Sequence, residues 1–143
     1  MTSQGTIRGA STSRCGRKSR PTPGRAQRRW LVDALETFTG LHLVTGGIYC
    51  GAAARVQAML LDPPGEHERA DELFAEAVRQ HEDLRSPTWI ARTQLDWADA
   101  LLRRGSSDAA STHLDAAAAA LRDLDLPDNQ LRLAELRAQL AVS

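Results

Sequence analysis

The sequence predicts an all-α protein, a solenoid of about two and a half helical hairpins behind a disordered N-terminal tail. Three observations lead there. Apolar residues recur at spacings of three and four from Trp30 onward, the pattern of a single buried helix face. The chain repeats itself at a fixed offset, Ala58 falling on Ala98 and Pro87 on Pro127, 40 residues on. No segment alternates between apolar and polar residues for long enough to make a strand.

Taken in order, the first helix begins at Trp30, carries Leu31, Ala34, Leu35 and Phe38 on its apolar face, and stops at Thr39-Gly40. Leu41 to Val44 reads as an extended connector and Gly46-Gly47 as a turn. A second helix is expected from Ile48 to Leu61, closed by Asp62-Pro63-Pro64-Gly65, because consecutive prolines cannot continue the backbone hydrogen bonds. Its partner runs from Glu66 to Leu84 with Ala70, Phe74, Ala77, Val78 and His81 on one face. Ser86-Pro87 has the form of an N-cap followed by proline at the first helical position, and it opens a helix that reaches Arg104. Gly105 stops that helix, Ser107 or Asp108 caps the next as far as Leu124, and Pro127-Asp128 starts the last, to Ala141.

The repeat gives these helices a common logic. The same offset aligns Leu61 with Leu101, Gly65 with Gly105, Ala70 with Ala110, Phe74 with Leu114 and Ala77 with Ala117. Ala138 lies one further offset beyond Ala98, so the last helix begins a third copy. Small residues fall where paired helices approach closely, and one large residue lies between them. The domain therefore divides into units at about 48–87 and 88–127 with a partial third over 128–142, and such units must stack to bury their first helices.

The formal charge of zero conceals a division. Residues 1–30 hold eight basic side chains and no acid, which leaves ten basic and eighteen acidic residues for 31–143. Residues 1–29 form the basic tail, too poor in apolar surface to offset the entropy of ordering, and 30–143 form the helical domain. An Arg-rich, acid-free leader resembles an organelle transit peptide or a phosphate-binding arm. Pro21 and Pro23 oppose the amphipathic helix of the former, and no aromatic residues interleave the basic ones to stack on bases. With 42% hydrophobic and 25% charged residues the chain as a whole is not a disordered protein. It has no run of about 18 uncharged apolar residues and no apolar leader, so a cytoplasmic protein without membrane contact is expected. Two cysteines, Cys15 and Cys50, are too few for a disulfide scaffold or a four-thiolate metal site.

The residues that carry the repeat, Ala58, Ala70-x3-Phe74-x2-Ala77 with Pro87, and Ala98, Ala110-x3-Leu114-x2-Ala117 with Pro127, resemble the tetratricopeptide repeat. The unit is longer than the usual length of about 34 residues, and Pro63-Pro64 is inserted in one turn. Longer units of this kind resemble the C-terminal repeat region of large ATPase-type LuxR-family transcriptional regulators and related cyclase-fused ATPases. Leu43 to Gly51, then Ala70 to Ala77, Trp89-Ile90-Ala91-Arg92-Thr93 and Leu101-Leu102-Arg103-Arg104-Gly105 match that region in order and spacing. The resemblance implies a tetratricopeptide-like solenoid and a non-enzymatic interaction or sensor module, without the ATPase and DNA-binding domains of those regulators. Thr45-Gly46-Gly47-Ile48-Tyr49-Cys50-Gly51 lacks the lysine and hydroxyl of a phosphate loop, and no basic recognition helix follows the repeats. The alternatives are a nucleic-acid-associated protein using the basic tail and a gene remnant without independent activity.

No catalytic, cofactor or metal site is expected. His67-Glu68 and His81-Glu82 begin like a zinc-protease motif, but Asp71 and Arg85 stand where its second histidine is needed. His42, His67, His81 and His113 have no ligand spacing and read as surface or satisfied core residues. Cys50 reads as packing in a helix, and Gly47-x3-Gly51 as a close-approach surface for a neighbouring helix.

The sharper reading concerns a polar stripe. Arg92, Asp96, Asp99 and Arg103 share one arc of their helix, between apolar residues on both sides. In a tetratricopeptide stack the first helix of each unit lines the groove, so the resemblance places Arg55, Arg92, Asp96, Asp99, Arg103, Arg132, Glu135 and Gln139 along it. A protein or peptide, or a small effector, is the expected partner. The bland alternative is a solvated stripe paired internally. The last helix carries two apolar stripes, Leu131, Ala134 and Ala138 and then Leu133, Leu136 and Leu140. Self-association through the second of these is a further expectation.

Overall fold

A computed structural model describes residues 24–142. The tail expected over residues 1–23 lies outside the described residues, as does Ser143. The chain runs as α1 (Arg25–Glu36), β1 (His42–Thr45), β2 (Ile48–Ala52), α2 (Ala53–Leu61), α3 (His67–Asp83), α4 (Pro87–Arg103), α5 (Ser107–Leu121) and α6 (Pro127–Val142). The molecule is mostly helical, as the periodicity requires, and each helix packs against the next in the chain. α4 also touches α2 and α6, so these three lie side by side.

Two boundaries depart from the sequence reading. Helix α1 begins five residues before Trp30, so Arg25 to Arg29 are helical rather than part of a disordered tail; the Gly24 N–H donates to Gln27 Oε1 at 3.0 Å and closes its first turn. The expected helix from Ile48 starts only at Ala53, because Ile48–Ala52 pairs antiparallel with His42–Thr45. Gly46 and Gly47 take φ of 57° and 81°, the left-handed pair that a two-residue hairpin turn demands. Val44 faces Tyr49 while Leu43 faces Gly51, which leaves Cys50 as the extra residue of a bulge. Cys50 is thus on a strand and half-buried, not in a helix.

Several residues 40 positions apart take matching places in the structure. Pro87 and Pro127 occupy the first positions of α4 and α6. Gly65 and Gly105 both adopt positive φ after α2 and α4, and the same pair of bonds closes each turn. Glu66 N–H donates to Leu61 O at 3.2 Å and Ser106 N–H to Leu101 O at 2.9 Å. Ala58, Ala70, Phe74 and Ala77 are fully buried in one core cluster. Leu95, Ala98, Leu114, Ala117 and Leu136 form a second. The alanines are there because a larger side chain would hold the helices apart.

The ends of the stack are less covered. α1 has no buried residue, Trp30 and Phe38 are exposed, and Val32 rather than the expected stripe packs against the core. On α6 the stripe of Leu133, Leu136 and Leu140 packs inward against Leu95, Ala98 and Leu114, while Leu131, Ala134 and Ala138 face out. The outward stripe is therefore the opposite of the one expected to mediate self-association.

Candidate functional site

The polar stripe is a chain of ion pairs across three helices. Asp96 on α4 is 4% exposed. One carboxylate oxygen accepts from Arg55 Nε of α2 at 2.6 Å, and the other from Arg132 of α6 at 2.6 Å. Arg132 also lies 3.9 Å from Asp99, which holds Arg103 at 2.5 Å. The structure thus brings together five of the eight expected groove residues. Glu135 and Gln139 stand exposed on α6. A carboxylate buried to this degree is tolerable only because two guanidinium groups satisfy its oxygens.

Arg92 is held differently. Its guanidinium lies over the Trp89 ring, 5.0 Å from the centroid, and Arg55 reaches the same ring at 5.5 Å. No ion pair joins Arg92 to a carboxylate among the described residues. Trp89 meets Tyr49 edge-on with centroids 5.2 Å apart and His81 at 5.8 Å. Trp89 enters the sequence reading only within the family resemblance and is given no packing role there, although an aromatic residue two positions after the helix-opening Pro87 is a visible signal of close packing.

His81 is the buried centre of this cluster, with none of its surface exposed. The Ala52 N–H donates to its Nε2 at 3.0 Å, which fixes the ring proton on Nδ1. Nδ1–H donates to Thr93 Oγ1 at 3.1 Å, and the Thr93 hydroxyl donates to Trp89 O at 2.9 Å. Burial, with the nearby Arg55 and then His42, pushes its pKa down to about 4. It is a satisfied core histidine that ties the hairpin to α3 and α4.

A second polar cluster joins the turn after α2 to the turn after α4. Asp62, 3% exposed, accepts from Arg104 at 2.5 Å and from Arg103 at 3.2 Å, with His67 Nδ1 also 3.2 Å away. Arg104 reaches on to Asp71 at 2.8 Å, and Asp71 takes the Trp97 indole N–H at 2.8 Å. Trp97 is stacked between Phe74 and His113. Burial lowers the His113 pKa, opposed by the charge of Asp71, and its Nδ1–H donates to Gln94 Oε1 at 2.7 Å. The Asp71 that broke the zinc-protease motif therefore serves an ionic clamp.

No group of three or more His, Cys, Asp or Glu side chains among the described residues is arranged to hold a metal ion. No described helix is long and apolar enough to cross a membrane. No family model, curated protein or solved structure matches the chain.

Proposed function

We propose that the chain is a non-enzymatic interaction module of tetratricopeptide-like build, which binds a protein or peptide along the side formed by α2, α4 and α6. The observation that carries this reading is the ion-pair chain Arg55, Asp96 and Arg132. It locks three helices from separate repeat units into one surface, and a surface held rigid before binding loses less entropy when a partner arrives. Arg92, Glu135 and Gln139 then supply polar groups at its margin. The likeness to the repeat region of ATPase-type LuxR-family regulators supports a sensor or scaffold role in the cytoplasm, with no nucleotide chemistry.

Selection of random peptides displayed on phage against the full chain tests the reading. Enriched peptides should shift amide resonances of α2, α4 and α6 and bind at least tenfold more weakly to Arg92→Glu. Peptides whose shifts map to α3 and α5 alone would overturn it.

A further inference from the structure

α1 begins with a charge pattern that helices avoid. Arg25, its first residue, is followed by Arg28 and Arg29 at the next-turn positions, and no acidic residue stands in the first turn. Like charges at these spacings repel, and cations at a helix N-terminus meet the positive end of its dipole. The three side chains line a cavity of about 220 Å³ between α1 and the end of α2. Arg25 Nη2 donates to Pro64 O at 3.4 Å and Arg29 lies 3.6 Å from Glu66, so both reach across from α1 to the segment that follows α2. Among the described residues Glu66 is the one acid lining the cavity. Val32 and Leu60, both half-buried, and the buried Leu61 form its apolar side. None of these residues belongs to the ion-pair chain of α2, α4 and α6, so the cavity is separate from the proposed groove.

Three guanidinium groups against one carboxylate leave an excess of two positive charges at the cavity. A carboxylate ligand offsets half of that excess. A phosphate monoester carries about −1.5 to −2 at neutral pH and presents three acceptor oxygens, which planar guanidinium forks fit. The apolar side decides the rest of the ligand. An apolar cavity of roughly 150 Å³ accommodates a benzene ring, so one of about 220 Å³ has room for a six-membered ring beside the anionic head. We propose that the cavity between α1 and α2 binds a small phosphate monoester with a compact apolar ring, its phosphate at Arg25, Arg28 and Arg29 and its ring on Val32, Leu60 and Leu61. Apolar walls with a few charged groups that orient the ligand are the usual form of a small-molecule site. The bound dianion relieves the repulsion among the arginines, and it ties α1, which has no buried residue, more firmly to α2.

Calorimetric titration of the full chain at near-physiological salt tests this, with phenyl phosphate, inorganic phosphate, benzoate and a short single-stranded DNA as probes. Phenyl phosphate should bind at one site, at least tenfold more tightly than inorganic phosphate or benzoate. Arg25→Gln and Arg28→Gln should each weaken it at least tenfold, and Arg25→Gln should do so without lowering the melting temperature of the ligand-free chain, because it removes a repelling charge. Leu60→Asn should abolish the preference for phenyl phosphate over inorganic phosphate. Replacing Arg14, Arg17, Lys18 and Arg20 together by Gln should change the affinity by less than twofold. Absence of saturable binding overturns the site. Equal affinity for inorganic phosphate overturns the ring pocket, and equal affinity for benzoate overturns the phosphate head. Loss of binding in the fourfold variant while Arg28→Gln still binds normally overturns the location in favour of residues 1–23. DNA binding more tightly than phenyl phosphate, and weakened by the same Arg25 and Arg28 substitutions, overturns the small-molecule ligand in favour of a nucleic-acid backbone.

Discussion

A β-carbon on Gly51 would lie 2.8 Å from Cζ3 of Trp89. Gly51 also has φ of 102°, a conformation that side chains resist, so the hairpin approaches the indole at the single position where nothing else fits.

Gly51→Ala should therefore destabilise the protein by about 2 kcal/mol or more, from the strained backbone and the overpacked contact together. Gly46→Ala is the control, since φ there is positive but no atom lies within 4 Å of the new methyl. Urea unfolding should show the larger loss at Gly51, and Trp89→Leu in the Gly51→Ala background should recover part of it. Equal losses at the two glycines would mean that the indole contact contributes nothing.

Asp96 sits between two guanidinium groups with its carboxylate nearly sealed from water. Asp96→Ala leaves Arg55 partly buried without a counter-charge and Arg132 with Asp99 alone, a loss of about 3 kcal/mol. Asp99→Ala removes a more exposed partner and should cost under about 1 kcal/mol. Chemical denaturation of the two variants in the same buffer checks the ranking, and the Asp96 effect should survive added salt while the Asp99 effect shrinks.

Ala117 is fully buried against Leu95, Ala98 and Leu114, whereas Ala119 on the same helix is exposed. Ala117→Leu should lower stability by about 1 to 3 kcal/mol through overpacking, and Ala119→Leu by far less. Thermal melts of the pair measure the difference directly.

The pH dependence follows from His81. Its folded pKa, about 4, lies below the ordinary value of 6.5, so between these the unfolded chain binds the extra proton. Stability from this residue is complete above pH 6.5 and is lost as pH falls toward 4, to a total on the order of 3 kcal/mol. His81→Gln should be less stable at pH 7 and show a flatter melting temperature between pH 6.5 and 4.5. An unchanged slope in the variant would assign the acid sensitivity to other groups.

Much of the fold was legible because proline and glycine punctuate it at a constant offset. Pro87, Gly105 and Pro127 bound helices whose observed ends fall within a few residues of the expected ones. The hairpin was half legible: Gly46-Gly47 signalled its turn, but Ile48 to Ala52 is a short apolar run that reads equally as strand or helix, and only pairing with His42–Thr45 decides it. The orientation of α6 was not legible at all. Both of its stripes are apolar, and the choice is made by the leucines that α4 and α5 present to it. Accordingly, Leu136→Ser should unfold the C-terminal unit and Leu131→Ser should leave it intact. The stripe of Arg92, Asp96, Asp99 and Arg103 was visible from helical spacing alone. Its partners were not, because Arg55 and Arg132 reach Asp96 across 41 and 36 residues of chain.

The bond from the Ala52 N–H to His81 Nε2 makes one backbone proton hostage to one side chain. The bonds that pair β1 with β2 run instead to backbone carbonyls, which do not titrate. Below pH 4 the imidazole takes a proton at the nitrogen that receives this amide and ceases to be an acceptor. The exchange lifetime of the Ala52 amide, corrected for the intrinsic pH dependence of exchange, should then collapse before those of α3 and α4. That single signal would time the moment at which the β1–β2 ribbon lets go of the helices.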